Sequence, residues 1–245
     1  MARIETANQI INDAALDVGL SPDPDPVGSA DQNFVQMTGL LSSAGRELVE
    51  LHPWQTLEKE YSFNTDDDGA TGVYDLPADF SYMIDQTGWD NTNKLPVGGP
   101  LTVQDWAYLR GRDLASSTIY VSFRLLDGNM RIFPQPPPSN LEISFRYIQR
   151  NWAGDFGSTT PNQDRILVGS DVVFYEPILI TKFLKAKFLE AKGFDSTAAR
   201  LEFENMMVSR TGKDTGAPIL SASGPGTRFP YLNPYYNTPD TNYGS

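Results

Sequence analysis

The chain has 245 residues, 40% of them hydrophobic, and 31 acidic against 19 basic side chains leave a net charge of −12. It contains no cysteine and one histidine, His52, which excludes disulfides, thiolate metal sites, cysteine nucleophiles and metal sites built on several imidazoles. The apolar content is too high for wholesale disorder, and the acidic balance opposes a protein that grips nucleic acid by its phosphates.

Ile4, Ala7, Ile11, Ala14 and Val18 recur at helical spacing, and Gly19 stands where a helix C-cap is expected. Residues 21–29 place three prolines at alternate positions and read as an extended connector. A second helix follows, capped by Ser29 or Asp31, with Phe34, Met37, Leu41, Ala44, Leu48 and Leu51 on one seam. Pro53 stops it, because the residue before a proline is pushed out of the α region. Together the two helices suggest a hairpin.

The period then shortens to two. Residues 57–63 alternate as a strand, 64–72 carry turn chemistry, and 73–76 resume a strand. Short strands are expected over 83–89 and 94–97, with a short helix over 102–110 capped by Thr102. Residues 119–126 and 130–133 flank Asp127-Gly128, a hairpin signal because both turn positions favour positive φ. A proline loop over 135–139 leads to an alternating strand over 141–149. Helix returns at 178–192, with Ser170 and Asp171 offering a cap, Pro177 either starting the helix or kinking it, and Gly193 as its stop. A last helix, capped by Asp195 or Ser196, sets Ala199, Phe203, Met206 and Met207 on one side. The expected fold class is α+β: a helical bundle from the N- and C-terminal helices (1–54 and 165–212), an inserted β-rich, sheet or barrel-like domain (55–164), and an extended tail (213–245).

Chemical motifs are sparse. No Walker A loop, dinucleotide fingerprint or nucleophile elbow is present. His52 sits at a helix end before a proline, where a dipole contact accounts for it. Asn64, Asp66, Asp68, Gly69 and Asp75 fall on calcium-loop spacing, but Asn opens the pattern, Asp stands in place of the bidentate Glu, and strands flank it, so an acidic turn is the simpler reading. Paired carboxylates for glycoside hydrolysis arise by chance in so acidic a chain. Trp89, Trp106 and Trp152 are read as core anchors of the β-rich unit. No catalytic, cofactor-binding or metal-binding residue is assigned, and the chain is expected not to be an enzyme. No segment is apolar enough to cross a bilayer and no signal peptide is seen, so a soluble protein made in a cytoplasm is expected. The tail is rich in Gly, Pro, Ser and Asn yet holds Phe229, Tyr231, Tyr235 and Tyr236. Such a segment cannot fold alone, and its rings are what an interface anchor uses.

The order of motifs resembles the head-to-tail adaptor proteins of short-tailed bacteriophages, of the tail tubular protein A type. The likeness runs over residues 30–207: the 34–51 helix ending in His52-Pro53-Trp54, the 57–63 strand, Tyr74-Asp75-Leu76-Pro77-Ala78-Asp79-Phe80, and Trp89-Asp90. It continues through Gly99-Pro100 leading to Trp106, Phe123-Arg124, the 134–138 proline loop, and Phe145-Arg146-Tyr147 leading to Trp152. The resemblance implies a structural virion protein of the neck: a homo-oligomeric ring, dodecameric in the family, between portal protein and tail nozzle protein, extending the DNA channel. On that reading DNA passes without specific binding, and Phe229, Tyr231, Tyr235 and Tyr236 dock the portal. The competing readings are a receptor-binding or other tail-structural virion protein, and a carbohydrate-active hydrolase.

Overall fold

The computed structural model describes residues 4–67, 71–111 and 121–214. Strand β1 (Glu5–Thr6) leads directly into helix α1 (Ala7–Asp17), and α2 spans Gln32–Leu51. The expected first helix thus loses its first turn. Thr6 is the N-cap of a capping box with Gln9, which holds Glu5 and Thr6 extended so that they pair with Val172 and Val173, and Ile4 lies outside, exposed. The connector is tied down by an asparagine ladder one helical turn apart. Asn12 exchanges two hydrogen bonds with the Asp23 backbone, and the Asn8 amide donates to Asp25. Asp31 caps α2. Phe34, Met37, Leu41, Ala44 and Leu48 are buried as their spacing demands, whereas Leu51 is exposed.

The β-rich stretch holds β2 (Glu58–Asn64), β3 (Val73–Asp75), β4 (Phe80–Met83), β5 (Trp89–Asp90), β6 (Leu95–Pro96), helix α3 (Val103–Gly111), β7 (Ser122–Leu126), β8 (Asn129–Phe133) and β9 (Glu142–Gln149). β9 is the spine. It pairs along its length with β2 and on its other edge with β4 and β5, giving the order β2-β9-β5-β6, all antiparallel. β3, β8 and β7 form a second sheet around the expected hairpin, with φ of 56° at Asp127 and 76° at Gly128. The sheets are open: among the described residues β2 and β6 are edges, so the barrel-like expectation is corrected to separate antiparallel sheets. The strand expected over 83–89 is interrupted. The Thr87 hydroxyl donates to Ile84 O at 2.6 Å and accepts from Arg146 N–H at 3.1 Å, taking the ladder's place beside β9.

β10 (Ala153–Gly154) and β11 (Val172–Val173) join β1 in a third sheet, order β1-β11-β10, which the sequence reading lacked. Helices α4 (Pro177–Ala191) and α5 (Thr197–Asp214) follow. Pro177 is the first residue of α4. The alternative caps are corrected: Asp171 is buried and accepts instead from the Leu167 and Val168 N–H groups, closing the loop before β11. α4 touches α1, α2 and α5, while α1 and α2 meet each other only slightly, so α4 rather than a hairpin seam joins the first two helices. This explains the apolar residues around most of the α4 wheel. α5 continues through Asp214.

Two apolar cores result. One gathers α1, α2, α4 and Phe203 of α5 with Trp54, Trp152 and Tyr175. The other lies between the sheets, around Phe63, Tyr74, Phe123, Ile132, Ile143, Phe145 and Tyr147. Trp152, expected to anchor the β-rich unit, belongs to the helical core. Trp106 is buried and Trp89 half-buried.

Candidate assembly surfaces

The joint between α2 and β2 is built from Pro53 outward. With α2 stopped, His52 turns extended (φ −157°, ψ 140°) and the Trp54 indole folds back to donate to Leu48 O at 2.7 Å. Trp54 meets Tyr175 edge-on at 5.7 Å, and Tyr175 stacks on Trp152 at 6.0 Å. The Tyr175 hydroxyl donates to Gly45 O, and burial keeps its ionisation well above the ordinary tyrosine range. The last turn of α5 lands on this column. The Asp214 carboxylate lies 3.2 Å from His52 Nε2 and accepts the Gln55 N–H at 3.0 Å, and the Gln55 side-chain amide donates to Asp214 O. Arg210 reaches Glu176 at 2.8 Å. His52 therefore has a specific acidic partner from the far end of the chain, a role its position before Pro53 did not reveal.

On the helical face, the α4 lysines stitch three neighbours together. Lys187 pairs with Glu47 of α2 at 2.5 Å, Lys182 with Glu202 of α5 at 3.0 Å, and Lys185 bridges Glu202 and Asp17. The Lys182 hydrogen bond and charge hold Glu202 below the usual carboxylate range. A groove lined by Leu51, Phe183, Lys187, Arg200, Phe203 and Glu204 runs between α2, α4 and α5.

On the β side, Lys59 Nζ meets the Asp79 carboxylate at 2.6 Å, and the Tyr147 hydroxyl donates to its other oxygen at 2.8 Å. Burial pushes the Asp79 carboxyl up, but these two hydrogen bonds and the lysine charge outweigh it, and it lies below its ordinary value. Burial and the bond to Asp79 push Tyr147 well above the tyrosine range. A cleft of about 610 Å³ between Gln86, Trp89, Val97, Gly98 and Arg146 is lined by no carboxylate among the described residues. Glu58 and Glu60 do flank a shallow groove, but both face Arg146, at 2.5 and 3.9 Å, so neither stands free to act as acid or nucleophile.

Among the described residues no cluster of His, Asp or Glu is arranged to hold a metal ion, and no helix is long and apolar enough to cross a membrane. In the acidic turn, Asn64 Oδ1 accepts from Asp66 N–H and the Asp67 carboxylate from Asn64 N–H, while Asp68 and Gly69 lie outside the described residues. The expected docking residues Phe229, Tyr231, Tyr235 and Tyr236 also lie outside them.

The sequence profile of the SU10 adaptor protein family matches residues 5–223. The chain belongs to that family. Membership makes it a structural adaptor of the phage virion, which agrees with the resemblance read from the sequence; the tail tubular protein A type is a finer distinction than the match makes. No curated protein matches the chain. The SU10 adaptor match begins in β1, takes in every helix and strand described above, and continues past α5. It ends before the aromatic block at 229–236.

Proposed function

We propose that this SU10 adaptor is a ring-forming head-to-tail connector, seated beneath a portal protein and presenting its other end to a tail nozzle protein. The observation that carries the reading is the family match over 5–223, which takes in all the described secondary structure. A ring requires two different flanks on each subunit that close by rotation. The proposed organisation is a helical unit (1–54 and 165–212), an inserted β-rich unit (55–164), and the segment from 213 onward as the portal anchor. The dodecamer comes from the resemblance. The net charge of −12 supports a passive conduit: acidic walls repel phosphates over a screening length of about 8 Å, so DNA slides without sticking. The His52–Asp214 joint supports the anchor by fixing the end of α5, the point in the chain from which the proposed anchor follows.

In this reading Phe229, Tyr231, Tyr235 and Tyr236 bury their rings in the portal. Native mass spectrometry of purified portal rings mixed with the full chain, or with a chain ending at Ser223, tests it. The full chain is expected to add as a complete ring, and the shortened one to stay free while keeping its circular dichroism. Normal attachment of the shortened chain refutes the anchor. A full chain that never joins a portal refutes the connector.

A further inference from the structure

Trp54, Trp106 and Trp152 each meet another aromatic ring, whereas Trp89 meets none among the described residues. Half-buried, Trp89 lines instead the cleft of about 610 Å³ beside Arg146. Three of the nine residues around that cleft are glycines, Gly88, Gly98 and Gly99, so backbone alone walls it there, and Val97 adds a buried apolar side chain. Arg146 is its only charged lining residue. The Arg146 side chain is 56% accessible and meets Glu58 at 2.5 Å and Glu60 at 3.9 Å. A guanidinium carries more N–H donors than those contacts use, so it can serve a further acceptor on the cleft side.

The excursion between β10 and β11 displays a ring that fits such a cleft. Phe156 is 75% accessible, yet the turn that holds it is fully tied. The Ser158 N–H donates to Asp155 O at 2.9 Å and Gly157 takes φ 84°, which closes a tight turn with Phe156 at its tip. The Asp155 carboxylate accepts from the side-chain amides of Asn162 and Gln163, so it is held by amides rather than by a cation. Below it the Asn162 and Gln163 N–H groups both donate to Ala153 O at 2.9 Å, and the buried Trp152 fixes the base by donating to Asp164 O. An aromatic side chain shown on a turn that is already ordered loses little further freedom on binding, which is what suits a residue to anchor an interface.

We propose that the Asp155-Phe156 turn of one subunit enters the Trp89–Arg146 cleft of the next, with Phe156 against Trp89 and Val97 and Asp155 against Arg146. The inference rests on the ring reading and names the contact that closes the ring. A knob and a pocket on different parts of one molecule make a head-to-tail contact, the kind that generates rings. Charge selects the cleft. The groove between α2, α4 and α5 also offers apolar walls, but it sets Glu47, Glu190 and Glu204 around them against two cations, where Asp155 would meet mostly its own sign. The turn anchors the interface without making up all of it, since one aromatic side chain buries about 150–250 Å² and a stable contact needs about 800 Å² on each partner.

Photo-crosslinking of the full chain assembled on purified portal rings tests the contact. Phe156 is replaced by p-benzoylphenylalanine, and equal amounts of isotopically light and heavy chain are mixed so that links between copies can be told from links within one. The expected product joins position 156 of one copy to residues 86–99 of another. A link within one copy, a link to the helical groove or to the portal, or no link at all overturns the proposal. Phe156→Ala gives the second measurement. Because the ring is exposed, this variant should keep the circular dichroism and melting temperature of the wild type while needing a concentration about tenfold or more higher to complete a ring, read by native mass spectrometry. Normal ring formation by Phe156→Ala overturns the anchor and leaves the connector reading standing. A wild-type chain that forms no ring on the portal refutes the connector, and this contact with it.

Discussion

In the helical core the tightest approach is made by a glycine. A methyl group placed on Gly45 of α2 would sit 2.2 Å from the Trp152 ring, and that ring is fully buried with its Nε1 donating to Asp164 O. The β core also holds a glycine pressed close, Gly99, where a methyl group would sit 2.6 Å from Phe123 O and 2.8 Å from the Phe123 ring. The side chains of the β core are large rings meeting at ordinary distances: Phe63 with Tyr74 at 4.5 Å, Tyr61 with Phe145 at 5.6 Å, Phe80 with Tyr147 at 5.6 Å. The helices gain their register by bringing backbone against an indole, and the sheets gain theirs by filling the gap between them with aromatic volume. The helical core is therefore sensitive to an atom added at Gly45, and the β core above all to the loss of a ring, with Gly99 its own point of sensitivity to added atoms.

The largest expected effect is in the β core. Phe145→Ala deletes a ring at the centre of β9, with an expected loss of about 3–5 kcal/mol. Hydrogen exchange should then rise in β2 and β9 well before it rises in α2 and α4. Simultaneous loss everywhere would show that the two cores unfold as one and would erase the distinction. Gly45→Ala comes next, at about 1–3 kcal/mol from overpacking, which for a chain of this size lowers the melting temperature by roughly 5 °C. Adding Trp152→Leu should recover part of that loss, because the clash is with the indole. No recovery in the double-mutant cycle would assign the cost to the Gly45 backbone instead.

The two regions also differed in how openly the sequence displayed them. Where one face of an element meets one core, the period was readable: Phe34 to Leu48 on α2, or the Asp127-Gly128 hairpin with both φ values positive. Where an element is covered on several sides, the period was blurred. β9 buries Ile143, Phe145 and Tyr147 between the sheets but sends Ile148 into the helical core, so strict alternation fails. The third sheet escaped notice because its strands are two residues long and owe their pairing to Thr6 and Asp171 capping loops far apart in sequence. The same holds for the assembly surfaces. The aromatic block was visible from composition alone, whereas Asp214 acquires meaning only beside His52 and Gln55, about 160 residues earlier.

The joint between the regions ranks third. Asp214→Ala removes the charged acceptor of the Gln55 N–H and the partner of His52, at an expected cost of about 1–2 kcal/mol. The loss should appear as faster exchange at the end of α5 and the start of β2 together, because one carboxylate serves both. Disturbance of α5 alone would mean that Asp214 merely ends the helix and does not couple it to the sheet.

The smallest expected effect is a pH dependence confined to the β side. Asp79 holds β2 and β9 together through Lys59 and Tyr147, and its carboxyl lies below the ordinary value because those hydrogen bonds and the lysine charge overcome the rise that burial imposes. In the unfolded chain the same group titrates at about 3.9. A carboxylate depressed by folding stabilises fully above the unfolded value, and that stabilisation fades as pH falls through the folded one. Wild type should therefore exceed Asp79→Asn by a constant margin of about 1 kcal/mol from pH 8 to pH 5, and the margin should shrink below about pH 4. Denaturant melts at stepped pH would measure it. A margin that stays level into strong acid would mean that Asp79 acts through its shape and neutral hydrogen bonds, which the asparagine keeps in part, rather than through the ionised clamp between Lys59 and Tyr147.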